Sequence, residues 1–286
     1  MGDTGSIAGD TAAVTARRDG FPVLARRGPA GADGTAPVLA FAHRGGARHP
    51  DLLGLENTRR AFAHAYALGF RWLETDVHVS RDGCLVAFHD PVLERVTDGN
   101  GMVESMTMAE IEQLRIGGTE AIPRLEELLE EFHDARFNID LKSPGGARPL
   151  ADLIDRTGAH ERVLVSSFSP ARIRQFRTAT GGRVATAASP PEVARFLALP
   201  ARLAVLRLDP TVCALQVPER RGRLQVLSPR LLARAHRAGL QVHVWTVDEP
   251  ADIERLVAAG VDGLMTDRTD TLRAVLQRLG RWEEPR

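Results

Sequence analysis

The sequence has little cysteine, no long apolar run and no excess charge of either sign, and each shortage excludes a class of protein. Cys84 and Cys213 are its only cysteines, and their wide separation predicts neither a disulfide framework nor a zinc site. No apolar stretch approaches the roughly 20 residues that cross a bilayer. Because 37 basic residues balance 37 acidic ones, no overall field favours nucleic acid or an anionic membrane. We therefore expect a small-molecule partner and no nucleic acid.

Lysine is the scarcest basic residue. Arginine supplies nearly all of the positive charge, and Lys142 is the single lysine of the chain. Lysine carries a compact point charge, whereas the arginine fork is broad and planar. A single lysine in a chain that otherwise uses arginine suits a crowded anion-binding site that has no room for a guanidinium. Lys142 is therefore a candidate functional residue.

The two ends of the sequence differ in composition from the rest. Residues 1–36 are rich in Gly, Ala, Thr, Asp and Arg, and they lack the apolar segment of a signal peptide. We expect them to form a disordered or loosely packed leader, residues 37–280 to form one domain, and residues 281–286 to form a tail. A cytoplasmic protein without an integral membrane segment is the simplest expectation, and the oligomeric state is left open.

From residue 37 onward, short β-rich runs alternate with amphipathic stretches, the pattern of parallel strands joined by helices. The predicted strands are residues 38–42, 72–76, 137–141, 163–168, 184–188, 203–208, 242–247 and 261–266. The predicted helices are residues 58–68, 125–133, 149–157, 170–178, 190–199, 229–238, 250–259 and 270–279. Eight such units over about 240 residues predict an α/β fold, a (β/α)8 TIM barrel.

One interval breaks this rhythm. Only a few residues, with Arg81-Asp82-Gly83 at their centre, separate the second run, extended to residue 79, from the apolar stretch 85–88, whereas a parallel crossover needs about a dozen residues. Asp82-Gly83 predicts a hairpin turn instead. We therefore expect the second strand to return antiparallel and to open an insertion of approximately residues 78–124. The returning strand would bring His89 beside Glu74 and Asp76.

Ionisable residues stand at the ends of several predicted strands, where barrels of this kind carry their reactive groups. They are His43 and Arg44 after the first strand, Glu74 and Asp76 on the second, and Asp140 and Lys142 at the third. The aromatic residue Trp245 lies near the end of the seventh. Carboxylates half-buried in apolar runs are costly without a cation or basic partners. An all-oxygen set of this kind suits Mg²⁺ or Ca²⁺.

The remaining histidines have no comparable neighbours in the sequence. We expect His78, within the outgoing arm of the hairpin, to be a surface residue. We expect the others to be structural or solvated: His49, His64, His133, His160, His236 and His243.

A series of motifs from about residue 40 to 270 resembles the glycerophosphodiester phosphodiesterases. The motifs are His43-Arg44-Gly45-Gly46, Glu56-Asn57-Thr58, Glu74-Thr75-Asp76-Val77, Asp82-Gly83, His89-Asp90-Pro91, Ile122-Pro123-Arg124-Leu125-Glu126, Asn138-Ile139-Asp140-Leu141-Lys142, Ser166-Ser167-Phe168, Val244-Trp245-Thr246-Val247 and Gly260-Val261-Asp262-Gly263. The resemblance implies a barrel enzyme that hydrolyses glycerophosphodiesters to sn-glycerol 3-phosphate and an alcohol, using a divalent cation.

The resemblance also implies roles for single residues. His43 and His89 would be the general acid and base. The metal would be held by Glu74, Asp76 and Asp140, and the substrate by Arg44, Lys142, Glu56 and Trp245. The chain departs from the family pattern at Asp140, where glutamate is usual, and at Leu55, where proline is usual. We expect the glycerol 2-hydroxyl to attack phosphorus, giving a cyclic phosphate that water then opens.

Other functions fit the same residues less well. A related barrel phosphodiesterase could act on lysophospholipids or phosphoinositides, although no membrane-binding apolar stripe or basic patch is evident in the sequence. A barrel that binds a metabolite without catalysis would not need the histidines and carboxylates together. An amidohydrolase would need a His-x-His pair on the first strand, and that strand offers His43 alone.

Overall fold

The computed structural model describes residues 21, 24 and 36–284. Most of the predicted leader and the last two residues of the predicted tail lie outside this part of the chain, so the domain bounds stay a prediction. Leu24 is buried against the barrel interior, and its carbonyl accepts a hydrogen bond from Gln241 Nε2 at 3.1 Å. Gln241 begins a barrel strand, so Leu24 lies at the amino-terminal mouth of the barrel.

Eight parallel strands form a closed barrel, because the first strand pairs with both the second and the last. The strands, with the antiparallel returning strand numbered β3, are β1 (Leu39–His43), β2 (Trp72–Val79), β3 (Leu85–Ala87), β4 (Arg136–Leu141), β5 (Val163–Ser166), β6 (Ala185–Ala187), β7 (Val212–Val217), β8 (Gln241–Val244) and β9 (Gly263–Thr266). The predicted TIM barrel is thereby confirmed.

Helices surround the barrel and connect its strands. They are α1 (Arg59–Ala67), α2 (Met108–Ile111), α3 (Leu125–Glu131), α4 (Ala147–Thr157), α5 (Pro170–Ala179), α6 (Pro190–Ala198), α7 (Ala201–Leu206), α8 (Pro229–Arg237), α9 (Pro250–Ala259) and α10 (Thr269–Arg278). Short 3-10 turns occupy Pro50–Leu52, Val103–Ser105 and Ala159–Arg162. No helix in the described ranges is long and apolar enough to cross a bilayer.

The prediction of the sixth barrel strand was wrong. The stretch 203–208 belongs mainly to α7, and the strand is β7, which pairs with β6 and β8. Within that stretch Ala204, Val205 and Leu208 are buried. This i, i+1, i+4 spacing is the face of a helix rather than the alternation of a strand.

The predicted hairpin after the second strand is present. β2 and β3 pair antiparallel, with Val79 opposite Leu85 and Val77 opposite Ala87. The insertion that follows has its own apolar core, which includes Phe88, Leu93 and Ile111. This separate core explains how a segment with little regular structure stays fixed above the barrel.

Strand residues alternate between two apolar layers. Ala42 and Leu73 pack in the large cluster that the helices share, whereas their neighbours Phe41 and Trp72 pack in a cluster built almost entirely from strand residues. The first layer joins strands to helices and the second fills the barrel. The polar side chains at the carboxyl ends of the strands therefore rest on a packed interior.

Candidate active site

His43 ends β1 and lies between two carboxylates. Its Nδ1 is 2.6 Å from Asp267 Oδ1, and its Nε2 is 3.9 Å from Glu74 Oε2. Burial lowers the pKa of the imidazole, but Glu74 and Asp267 outweigh burial and raise it from 6.5 to about 9. A carboxylate on Nδ1 fixes the ring and directs Nε2 toward the centre of the site.

His89 follows β3 and has the same kind of partner. Its Nδ1 lies 2.5 Å from Asp90 Oδ1. The hairpin places it, because the backbone N–H of Phe88 donates to the Asp76 carbonyl at 2.9 Å. The structure therefore brings both candidate catalytic histidines to one rim, each held by a carboxylate.

The turn after β1 positions Arg44. Arg44 has a φ of 51°, in the left-handed region, and its N–H donates to Glu74 Oε2 at 3.0 Å. Gly45 and Gly46 follow with φ of 81° and 96°; a Cβ on Gly45 would lie 2.7 Å from the Ala61 Cβ, and one on Gly46 2.9 Å from Thr269. Glycine is required here by close packing against α1 and α10, and this tight turn directs the Arg44 side chain into the site.

The three predicted metal ligands lie on adjacent strands. Asp76 and Asp140 are opposite one another in the register of β2 and β4. Lys142 Nζ joins them, 2.9 Å from Asp76 Oδ1 and 2.6 Å from Asp140 Oδ2. Arg44 Nε lies 3.2 Å from Asp76 Oδ2. Two predicted phosphate-binding residues thus contact the predicted metal ligands directly.

The pKa values of the two β2 carboxylates shift in opposite directions. Burial, and then the neighbouring Asp76, raise the pKa of Glu74 above its ordinary value. Burial would also raise the pKa of Asp76, but Lys142 and Arg44 outweigh it and hold that pKa below the usual range. The cations of the site therefore favour the ionised form of Asp76 more than that of Glu74.

Glu56 continues the network toward the insertion. Its carboxylate pairs with Arg44 Nη1 at 3.0 Å and with both terminal nitrogens of Arg95, at 2.9 and 2.6 Å. Arg95 also pairs with Asp90. A continuous chain of ion pairs therefore links the His89 partner to Arg44 and, through Asp76, to Lys142.

Negative charge exceeds positive charge in this network. Its members are six carboxylates (Glu56, Glu74, Asp76, Asp90, Asp140 and Asp267) and three permanent cations (Arg44, Arg95 and Lys142). With every carboxylate counted as ionised, the formal charge is −3 with neutral histidines and −1 with both histidines protonated. Because Glu74, Asp76 and Asp140 are buried, this donor set fits a divalent cation.

Sequence reasoning missed some of these residues. Asp267 directly follows β9, so the rule that placed Asp140 at a strand end would also have found it. Arg95 had no such signal, because it lies in the irregular insertion. Asn57, named only within a motif, bonds Asp76 Oδ2 through Nδ2 at 3.2 Å and has a left-handed φ of 57°.

The prediction that His78 is a surface residue was wrong. His78 is 3 % exposed, with Nδ1 3.1 Å from Ser143 Oγ and Nε2 3.1 Å from the His89 carbonyl. The ring is buried because the insertion covers the outgoing arm of the hairpin. His78 therefore supports the backbone of His89.

Trp245 follows β8 and faces an apolar compartment of about 520 Å³ beside the ion-pair network. Phe168 packs edge-to-face on Trp245, with ring centroids 5.8 Å apart. Lys142 Nζ lies 5.6 Å from the centre of the Phe168 ring. The compartment therefore adjoins the predicted phosphate contact.

A different group of side chains could also hold a metal ion. His49, Asp51 and His64 have ligand atoms within 4.8 Å of one another. These residues lie on the loop after β1 and on α1. The group is separate from Glu74, Asp76 and Asp140, and among the described residues it is the one whose three ligand atoms lie this close together.

A family model fits this architecture. Residues 43–271 match the model described as the glycerophosphoryl diester phosphodiesterase family. The chain belongs to that family. The match runs from the first catalytic-site candidate to the start of the last helix, so it covers the barrel from the end of β1 onward and the whole ion-pair network.

Relatives support the assignment. The chain is 36% identical over 260 residues to a probable glycerophosphodiester phosphodiesterase 2 of Mycobacterium tuberculosis, covering 88% of this chain and 98% of that protein. It is 31% identical over 266 residues to a glycerophosphodiester phosphodiesterase of Caldanaerobacter subterraneus, covering 85% and 99%.

The fold is also found in solved structures. A putative glycerophosphoryl diester phosphodiesterase from Silicibacter pomeroyi superposes with a TM-score of 0.75 at 24% identity, covering 93% of this chain and 99% of that one. The predicted family, barrel fold and class of enzyme, a phosphodiester hydrolase, are confirmed. The roles of the single site residues stay predictions.

Proposed function

We propose that this site hydrolyses glycerophosphodiesters to sn-glycerol 3-phosphate and an alcohol, with a divalent cation held by Glu74, Asp76 and Asp140. The charge balance carries the proposal, because a network with excess negative charge cannot bind an anionic phosphodiester without a further cation. An all-oxygen donor set favours Mg²⁺ or Ca²⁺. The cation, when bound, neutralises charge on the phosphate and lowers the pKa of a nearby hydroxyl.

Two basic side chains bind the phosphate in this proposal. Arg44 and Lys142 both reach Asp76 from opposite sides, so a phosphate placed above Asp76 meets both cations. Glu56 holds Arg44 in place and faces the glycerol. Trp245 borders the alcohol side.

The histidines move the protons. One removes the proton of the glycerol 2-hydroxyl as its oxygen attacks phosphorus, and the other protonates the departing alkoxide. The product of this step is a cyclic phosphate. The two exchange roles when water opens it. Asp267 and Asp90 hold the Nδ1 atoms of His43 and His89, which leaves both Nε2 atoms available for the transfers.

The test is release of glycerol 3-phosphate, detected with a coupled enzyme, from glycerophosphocholine, glycerophosphoethanolamine and glycerophosphoglycerol. Treatment with EDTA should abolish release, and Mg²⁺ or Ca²⁺ should restore it. No release from these three esters, nor from simple alkyl esters of glycerol 3-phosphate, with either metal would refute the proposal.

Single substitutions test the residues. His43→Ala and His89→Ala should each lower kcat by about 10²- to 10⁴-fold. His160→Ala is the matched control, because His160 also pairs with a carboxylate, Asp155, but at the surface. Near-native kcat in either site variant would remove that histidine from the mechanism.

A further inference from the structure

The apolar compartment beside the network extends from the candidate active site to the surface. It begins at Asp140 and Ser166. Its walls are α6 and a short antiparallel hairpin, Arg220–Arg221 paired with Leu224–Gln225. Three large apolar side chains on its walls are exposed: Phe168 at 59 %, Leu197 at 40 % and Leu224 at 63 %. A concave surface with this lining is typical of a ligand site rather than of ordinary protein surface.

The two sides of the phosphate site have opposite character. On one side, Glu56, Asp90 and Arg95 form a charged wall. On the other, Phe168 and Trp245 lead into the compartment. A phosphodiester has two arms, so the glycerol arm with its free hydroxyls suits the charged wall, and the alcohol arm enters the apolar compartment.

The charged groups of the compartment oppose a cationic alcohol. They are Asp140, Arg220 and Arg221. Asp140 is neutralised by Lys142 at 2.6 Å, and the two arginines repel an ammonium group. Among the described lining residues, no further carboxylate is present to bind choline or ethanolamine. A small cationic alcohol would also leave most of the apolar wall in contact with water.

We propose that this compartment binds the alcohol of the diester, and that this alcohol carries an apolar chain. The inference rests on the proposed function and names the class of alcohol that the proposed function does not specify. Each methylene that leaves water for the compartment strengthens binding by up to about fourfold.

A homologous series of substrates tests the proposal. The esters are sn-glycero-3-phospho-ethyl, -butyl, -hexyl and -octyl, each used below its aggregation concentration, with release of glycerol 3-phosphate as the readout. The value of kcat/KM should rise about two- to fourfold per methylene, and the butyl ester should exceed glycerophosphocholine.

Substitutions test where the apolar chain of the alcohol binds. Ala194 lines the compartment from α6, whereas Ala198 on the same helix does not. Ala194→Phe should flatten the dependence on chain length and leave kcat/KM for the ethyl ester within about twofold, and Ala198→Phe should leave both unchanged. Leu224→Ser, on the hairpin, should independently reduce the dependence.

The outcomes separate this inference from the proposed function. Hydrolysis of the ethyl ester without any dependence on chain length overturns the inference and leaves the proposed function intact. A dependence that Ala194→Phe and Leu224→Ser both preserve also overturns it. The inference is also overturned if kcat/KM depends on the length of a 1-acyl chain on the glycerol but not on the length of the alcohol chain. No hydrolysis of any ester would refute the proposed function itself.

Discussion

The partner of His43 is open to a direct test by the substitution Asp267→Asn. The carboxylate oxygen Oδ1 lies 2.6 Å from the His43 Nδ1, and the Asp267 backbone N–H is held by Asp248 Oδ1 at 2.9 Å. An amide has nearly the same shape, so the backbone should keep its place while the charge disappears. The imidazole would lose the anionic acceptor that fixes its tautomer and orientation.

The expected loss follows from the strength of this contact. A hydrogen bond to a charged group contributes about 1.5–3 kcal/mol, and loss of that amount from the transition state lowers kcat by about 10- to 150-fold. The pKa of His43 should also fall, because Asp267 and Glu74 together raise it to about 9. The limb of the pH–rate profile that reports His43 should therefore move to lower pH.

The assay is glycerol 3-phosphate release across pH 5–10, with thermal unfolding as a check on the fold. Asp155→Asn is the matched control, since it removes the carboxylate partner of His160, at 2.7 Å, on the protein surface. It should leave both kcat and the pH profile unchanged. A folded Asp267→Asn enzyme with kcat within twofold of the parent, and with an unmoved profile, would refute the orienting role of Asp267.

Two further predictions concern stability, both measured by urea unfolding. Gly45→Ala should cost about 1–3 kcal/mol more than Gly54→Ala, because both have left-handed φ but a Cβ would clash only at Gly45; equal costs would contradict the packing account. Glu192→Gln should cost about 3–5 kcal/mol at pH 7, because it removes the carboxylate closest to the buried Arg177 guanidinium and leaves it with the more distant Asp209, at 4.0 Å. Burial alone would raise the pKa of Glu192, but Arg177 holds it below 4.5. The stability from this group is thus complete above about pH 4.5 and lost as pH falls through the lowered pKa. The parent should therefore lose more stability than Glu192→Gln on acidification, and parallel losses would contradict this.

The barrel was largely predictable because its elements carry strong local signals. Proline in the first turn fixes the start of α5, α6, α8 and α9, and the five residues between β2 and β3 are too few for a crossover. The prediction of a strand at 203–208 was wrong because a short, nearly continuous apolar run fits a strand and a buried helical turn equally. Only its burial pattern, set by tertiary packing, separates the two.

The site was predictable where function coincides with strand ends. Glu74, Asp76 and Asp140 meet there because parallel strands in register place their carboxyl ends side by side. Arg95 could not be placed, because its contacts depend on how the insertion folds over the barrel. His78 was misplaced for the same reason, since an alternating strand residue looks exposed until the covering segment is known.

Two oddities of the sequence have one structural explanation. The chain keeps a single lysine, and it has aspartate where its family usually has glutamate; these two residues, Lys142 and Asp140, form an ion pair of 2.6 Å. The same Nζ lies 2.9 Å from Asp76 on the neighbouring strand. A compact ammonium needs little room to reach two carboxylates on neighbouring strands, whereas the broad, planar guanidinium needs more. The shorter Asp140 side chain keeps its carboxylate close to its own strand, level with Asp76, so that one ammonium reaches both. Lysine at position 142 is thus explained by the spacing of β2 and β4 and by the short acid opposite Asp76.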